Sequence, residues 1–422
     1  MIKSGRLSWL ALILASLTII GAYYTFDSIA PIADLLRRQR GFSQTDIGLL
    51  NAIFNLPNIP LAIVGGLLID RIGAAKAALW AAGFCAAGAG LTAIGDPFAL
   101  MAFGRLIFGI GEETLLVALL ACLAQWFEGG ASALAMSLLF SLARVGSYMA
   151  DISPRWAAPL YAQGWRPPLI LATVFTLVSL CAGVGLFLLD KRRTTGSGLH
   201  GERFRWADLR SFDASFWSIL GLNVLFASVF FPFRSTFAIV YFQDAKHLSL
   251  ADAGLLNSWV FFTAIFATPI FGSFADRFGH RAALLAFGAA LMPLNFLLLA
   301  LLPGGLWITT ALMGLSFSVI PAVIWPSTAM LVPKERLGAA FGVINVLQSL
   351  GMFACNYLAG WLNDLFGAGP RHPQGYMPML AMFMALSLIS FGCTLLLWRR
   401  ERSQAGHGLE RPAKRFLEKA GA

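Results

Sequence analysis

The sequence predicts an all-α membrane protein whose twelve spans form two related six-helix bundles. Three observations predict it. Mean hydropathy is +0.73, with 58% hydrophobic and only 12% charged residues, where an average soluble domain carries about 25% charge. Apolar runs long enough to cross hydrocarbon as a helix, about 20 residues each, recur along the whole chain. Segments of the first half also reappear in the second at one fixed offset.

Taken in order, the runs are 8–30, 46–69, 74–95, 98–124, 131–153 and 167–190, then 215–242, 252–275, 280–302, 305–331, 336–363 and 376–399. The first follows Lys3 and Arg6 and resembles a signal peptide, but it is too long for one and belongs to the repeat. Residues 1–190 thus form an N-terminal six-helix bundle and 215–399 a C-terminal one. Residues 191–214, basic and glycine-containing, link them, and 400–422 form a basic tail.

The repeat is explicit. "FSQTDIGLLN" at 42–51 returns as "LSLADAGLLN" at 248–257, and "GGLLIDRIG" at 65–73 returns as "FGSFADRFG" at 271–279, both 206 residues on. A shared register of this kind marks an internal repeat. Parallel six-helix repeats around a central path are a transporter architecture. Ser43 with Asp46, and Ser249 with Asp252, have the spacing that caps a helix N-terminus.

Charge placement sets the expected orientation. With the N-terminus inside, 21 of the 31 Lys and Arg fall on the cytoplasmic side and seven outside, the bias expected for cytoplasmic N- and C-termini. The net charge of +10 is then topology, with contact to anionic lipid, rather than a nucleic-acid surface. No G-x-x-x-x-G-K-[ST] loop for ATP is present. "GIGEET" at 109–114 lies within a span, where glycine serves close helix packing. The five cysteines sit in apolar runs without metal-ligand or disulfide spacing, and the five histidines lie in polar connections. No cofactor, metal or catalytic residue is expected.

"GLLIDRIGAAK" (66–76) and "GSFADRFGHR" (272–281) each close a span on the cytoplasmic side. This doubled G-x-x-x-D-R-x-G pattern resembles the signature of the major facilitator superfamily. Asp70 and Asp276 could accept hydrogen bonds from a helix N-terminus, and Arg71 and Arg277 could pair with carboxylates. The resemblance implies that these four residues latch the outward-facing state.

Six ionisable groups are placed within spans: Asp27, Arg105, Glu112, Glu113, Arg144 and Arg234. Glu113 and Arg144 fall roughly 16–20 Å from the cytoplasmic ends of neighbouring spans, near mid-membrane. A zwitterion would find a partner there for each end. An internal ion pair between the two spans is the alternative. Glu112, seven residues from Arg105, shares nearly its face, while Glu113 points about 100° away. Glu112 is therefore either a structural partner of Arg105 or a protonatable group that adds proton coupling. Asp27 and Arg234 lie near the outer ends of the first and seventh spans, as an external gate pair or as snorkelling interfacial charges.

A closer resemblance covers most of the chain. "FGRLIFGIGEETLLVA…QWF…SLARVGS", "YYTFD", "LPNIPLAIVGGLLIDR", "VFFPF", "LMGLSFS…IWPS" and "VPKERLGAAFGVINVLQSLG" are similar to the lysosomal dipeptide transporter branch of that superfamily, the major facilitator superfamily domain-containing protein 1 type. The resemblance implies Glu113 on the substrate amine and Arg144 on its carboxylate, with Tyr23, Trp325, Asn345 and Gln348 matching branch positions. Asn345 and Gln348 share a helix face, either lining the cavity or packing helices. Two departures stand out: Glu112 replaces a glycine usual in the branch, and Arg234 has no evident counterpart.

The expected function is secondary transport of small zwitterionic solutes, dipeptides first, by uniport or proton-linked alternating access. The alternative is transport of another organic solute, such as an organic anion, siderophore or drug. A membrane-embedded enzyme is disfavoured because no span holds a histidine or a nucleophile–base set. The expected partners are a small-molecule substrate and the lipid bilayer, without nucleic acid or ATP. The expected state is a monomer in a bacterial inner membrane.

Overall fold

A computed structural model of the chain describes residues 2–61, 69, 71–127, 132–191, 212–301, 304–333, 336–404 and 406–412. Their regular elements are helical, apart from an isolated bridge between Gly369 and His372. The first half contains α1 (Ile2–Asp27), α2 (Ile29–Arg40), α3 (Gln44–Phe54), α4 (Ala74–Ile94), α5 (Phe98–Trp126) and α6 (Ser132–Asp151). Two short turns follow, α7 (Ser153–Trp156) and α8 (Ala158–Ala162), and then α9 (Arg166–Asp190). The second half contains α10 (Ala214–Pro232), a π-helical segment (Phe233–Phe237), α11 (Ala238–Lys246), α12 (Leu250–Phe278), α13 (Arg281–Leu301), α14 (Leu306–Leu331), α15 (Leu337–Leu365) and α16 (Met377–Glu401).

Ten of these helical stretches are long and apolar enough to cross a membrane. The expected second span (46–69) and fifth span (131–153) are not among the ten. Residues 62–68 of the second lie outside the described set. The fifth, α6, carries Arg144, Asp151 and four serines. Large apolar side chains lie exposed along helix faces, for example Ile170, Val174, Leu177, Val178 and Leu188 of α9. Apolar exposure on that scale is the lipid-facing surface of a multi-pass membrane protein.

Several boundaries follow from local chemistry. The Ser43 hydroxyl accepts from the Asp46 N–H and the Asp46 carboxylate accepts from the Ser43 N–H, so α3 opens on the expected capping box. Ser249 accepts from the Asp252 N–H at the matching start of α12. The first span is longer than expected, because α1 and α2 form one apolar helical stretch from Arg6 to Arg40. Arg37, Arg38 and Arg40 therefore ride on a helix rather than a loop, and Gly41 stops it in the left-handed conformation, φ 69°. Pro232, which has no N–H to continue the α ladder, directly precedes the π segment.

Two large apolar cores result, beside a small cluster of Tyr24, Ala150 and Ala172. One lies within the first half and is rich in alanines of α4, including Ala74, Ala77, Ala78 and Ala81. Small side chains of this kind let helix backbones approach closely. The other fills the second half and takes in Ile29, Ile32, Leu36, Ile47 and Leu50 of the first. The halves are thus packed together around α2 and α3, at the end of the bundle opposite the chain termini.

At the termini end, part of the expected basic tail is docked. The Glu401 carboxylate accepts from the backbone N–H groups of His407, Gly408 and Leu409 at 2.9, 3.1 and 3.1 Å. Leu409 is fully buried. The His280 and Arg281 N–H groups donate to the Glu410 and Leu409 carbonyls. The Glu410 carboxylate accepts from the Ala283 N–H at 3.2 Å and caps α13. Asp276, expected to accept from a helix N-terminus, instead accepts from the Arg281 guanidinium at 2.8 Å. Arg277 stacks on the Phe278 ring, and among the described residues it has no ion pair. In the first signature copy Arg71 is exposed, and Asp70 lies outside the described residues.

Candidate functional site

Arg144, on α6, is half-buried and ringed by aromatics. Its guanidinium carbon lies 5.1 Å from the Tyr23 ring centroid, 5.0 Å from Phe261 and 4.9 Å from Phe317. These rings come from α1, α12 and α14, so the arginine of one half is seated partly by the other. Among the described residues it has no carboxylate partner. The internal ion pair with Glu113 is therefore not formed. Guanidinium–ring contacts contribute about 0.5–2 kcal/mol each, and they leave the hydrogen-bonding edge of the group available.

Glu113 is half-buried on α5 and faces the Asn58 side chain, just beyond the break at 55–57 that Pro57 introduces. Gly109, one turn earlier, lets α5 press on α3: a Cβ there would sit 2.2 Å from the Phe54 carbonyl oxygen. Tyr23 lies within electrostatic reach of Glu112, Arg144, Glu113 and Asp27. The structure therefore gathers Tyr23, Glu112, Glu113 and Arg144 into one charged neighbourhood.

The other predicted contacts form a second group. Trp325 packs edge-on against Phe341 with centroids 5.5 Å apart. Gln348 accepts from the Asn223 amide at 2.8 Å, and Asn345 is exposed. No hydrogen bond, ion pair or ring contact among the described residues joins this group to the first.

Glu112 is buried and lies within electrostatic reach of Arg105, with no salt bridge or hydrogen bond between them among the described residues. The Arg105 guanidinium donates to the carbonyls of Thr25, Phe26 and Leu50 at 3.3, 3.3 and 3.5 Å, and to Asn51 Oδ1 at 2.8 Å. It also lies over Phe54 and Phe108. Asn51 continues across the halves, donating to the Ser235 carbonyl and the Thr236 hydroxyl; Thr236 in turn donates to Asn356.

Asp27 and Arg234 do meet, with Nη1 to Oδ1 at 2.6 Å and both side chains fully buried. The pair is part of a triad. Arg234 Nη2 donates to Asp151 as well, and Asn257 donates to Asp151 Oδ1 at 3.0 Å and to the Arg234 carbonyl. Asp151 lies inside the expected fifth span, and the reading of six intramembrane charges omitted it. Counting acidic residues within that span would have found it. Asn51 and Asn257 are also functional-site neighbours that went unremarked, although they end the two copies of the quoted repeat.

A second layer lies outside the triad. Asp244 accepts from Arg37 at 2.8 Å and from the Tyr376 hydroxyl at 2.6 Å, and Gln44 donates to Tyr376. Asp364, from the end of α15, accepts from the Gln44 and Thr45 N–H groups at 2.9 and 2.7 Å. A carboxylate of one half thus caps a helix of the other. Among the described residues, no set of His, Cys, Asp and Glu is arranged to hold a metal ion.

Two matches to the family model of the Major Facilitator Superfamily cover residues 15–242 and 222–420. The chain belongs to the major facilitator superfamily. It is 29% identical to the human lysosomal dipeptide transporter MFSD1 over 414 residues, which span 94% of this chain and 87% of that one. The mouse MFSD1 is 28% identical over 403 residues, 92% and 85% of the two chains. A crystal structure of the nucleoside transporter NupG shares the fold, with a TM-score of 0.73 at 12% identity over 93% of this chain and 100% of that one. As a major facilitator, the chain is a secondary transporter for small molecules.

Proposed function

We propose that the chain transports dipeptides by alternating access, binding the substrate amine at Glu113 and its carboxylate at Arg144. The observation that carries this reading is Arg144 itself. It is a half-buried guanidinium, seated by three rings and without a carboxylate of its own among the described residues, in the same charged neighbourhood as Glu113. A substrate carboxylate would supply the charge-assisted hydrogen bonds it lacks. The likeness to the MFSD1 proteins supports a dipeptide over other zwitterions.

In this reading the twelve spans have both termini in the cytoplasm of a bacterial inner membrane, and the protein works as a monomer without ATP or nucleic acid. The Asp27–Arg234–Asp151 triad and the layer around Asp244 form the external gate, closed here, so the site faces inward. Trp325, Asn345 and Gln348 line the substrate path from the second half. Asp70, Arg71, Asp276 and Arg277 latch the opposite, outward-facing state. Uniport is the simplest mode, and Glu112 is the group that would add proton coupling.

The test is thermal stabilisation of the purified protein by a panel of dipeptides, amino acids and organic acids. Dipeptides should raise the melting temperature, and both Glu113→Gln and Arg144→Gln should abolish the rise. The alternative, transport of another organic solute such as an organic anion, rests on the same bare arginine. It predicts stabilisation by a simple carboxylate that survives Glu113→Gln.

A further inference from the structure

Phe261 lies where two arginines meet. Its ring is fully buried on α12, with the Arg144 guanidinium carbon 5.0 Å and the Arg234 carbon 3.7 Å from its centroid. Phe317 and Phe230 hold the ring at centroid distances of 5.3 and 6.2 Å. One arginine belongs to the proposed substrate site in the first half. The other is the centre of the triad that joins the halves. A benzene ring offers a limited negative face, and here two cations draw on it.

The charges around this ring are arranged to match. Asp27 and Asp151 both contact Arg234, so two carboxyl groups share one guanidinium, and Arg105 lies within electrostatic reach of Asp27. Arg144 is a second positive charge on the same ring. A substrate carboxylate arriving at Arg144 neutralises that charge.

From this arrangement we infer that Phe261 couples carboxylate recognition at Arg144 to release of the Arg234–Asp27–Asp151 gate. The inference rests on the dipeptide reading above. In the empty site, Arg144 compensates the second aspartate through the low-dielectric aromatic cluster and the gate stays shut. With a carboxylate bound, the Arg144 charge is neutralised and the two aspartates are left to share Arg234. The aspartates then separate, and the halves part at this end only with substrate aboard. Phe261 acts through the two arginines and is a positioning residue.

The test uses Ser235→Cys, a buried gate position whose hydroxyl accepts from Arg234 Nη1 at 3.3 Å, in a background whose five native cysteines are replaced, labelled by a membrane-impermeant maleimide. Every rate is read relative to this variant without substrate. A free dipeptide should speed labelling about tenfold, within the usual range of ligand-linked coupling. In the same otherwise unaltered protein, a C-terminally amidated dipeptide should not. Adding Phe261→Leu should preserve a dipeptide-induced thermal shift yet cut the acceleration below about twofold. Phe261→Trp, which keeps an aromatic face, should restore it. Equal acceleration by the free and the amidated dipeptide, or full acceleration in Phe261→Leu, would overturn the coupling. Absence of any dipeptide-induced shift before Phe261 is touched would overturn the substrate reading, and the coupling with it.

Discussion

Arg105 and Arg234 are both fully buried, and they are satisfied in different ways. Arg105 donates to three carbonyls and an amide oxygen, all neutral, and ties α5 to the ends of α1 and α3. Arg234 is held by two carboxylates from the other half. Removing one partner of a buried ionic set is far costlier than never having had the set, about 3–5 kcal/mol. Arg234→Met should therefore leave two aspartates facing each other and bias the protein away from the closed gate. Labelling of Ser235→Cys from outside should rise by roughly a hundredfold to a few thousandfold, the equivalent of that energy. Adding Asp27→Asn and Asp151→Asn should reverse most of the rise. Arg105→Lys keeps the charge but loses the fork, and should lower thermal stability by about 1–3 kcal/mol without changing gate labelling. At this scale the sequence shows which charges are out of place, because each interrupts an apolar run. It does not show their partners. Carbonyl acceptors have no residue signature, and long helical side chains lean toward the N-terminus of their helix. That lean carries the Arg105 head away from Glu112, two turns further on, and toward Thr25 and Asn51. Face arithmetic alone suggested the opposite.

Helix starts are legible where a side chain does the capping. Ser43 and Ser249 are read correctly from their spacing to Asp46 and Asp252. The start of α13 is not, because its cap, Glu410, arrives from 127 residues away. The extension of the first span to Arg40 is hidden for another reason: three arginines read as a polar loop, although arginine is a good helix former. The docked tail makes a prediction for its own element. Deleting residues 402–422 removes the α13 cap and the buried Leu409, and should cost about 1–2 kcal/mol, read as a fall in melting temperature in detergent. Glu410→Ala should reproduce part of that loss. A tail that is only solvated charge would leave the melt unchanged.

Across the whole molecule, the two most extensive helix contacts between the halves among the described residues are α3 with α15 and α6 with α12. Each has a glycine at the point of contact, and the two glycines sit at the repeat offset. A Cβ on Gly48 would fall 2.3 Å from the Asn356 carbonyl oxygen, and one on Gly254 would fall 2.3 Å from that of Asp151. Gly48→Leu or Gly254→Leu should each wedge the bundle open at this end. Impermeant labelling from outside should then become fast and independent of substrate. The repeat that predicts these positions was visible in the sequence, as was the all-helical, multi-pass character of the chain. Which faces of the bundles touch was not, because one chain must present that contact in one conformation and break it in another.

The pairing of those two glycine contacts bears on kinetics. They occupy matching positions of the repeat, one in each half, so a rigid tilt of the halves that loosens one should loosen the other. A state with a single contact broken would require a helix to bend or a bundle to distort, and close-packed helices resist both. Opening should therefore be an all-or-none toggle. Fluorophores placed across either contact should report one exponential with the same rate constant, and two different rates would mean that the bundles unzip from one side.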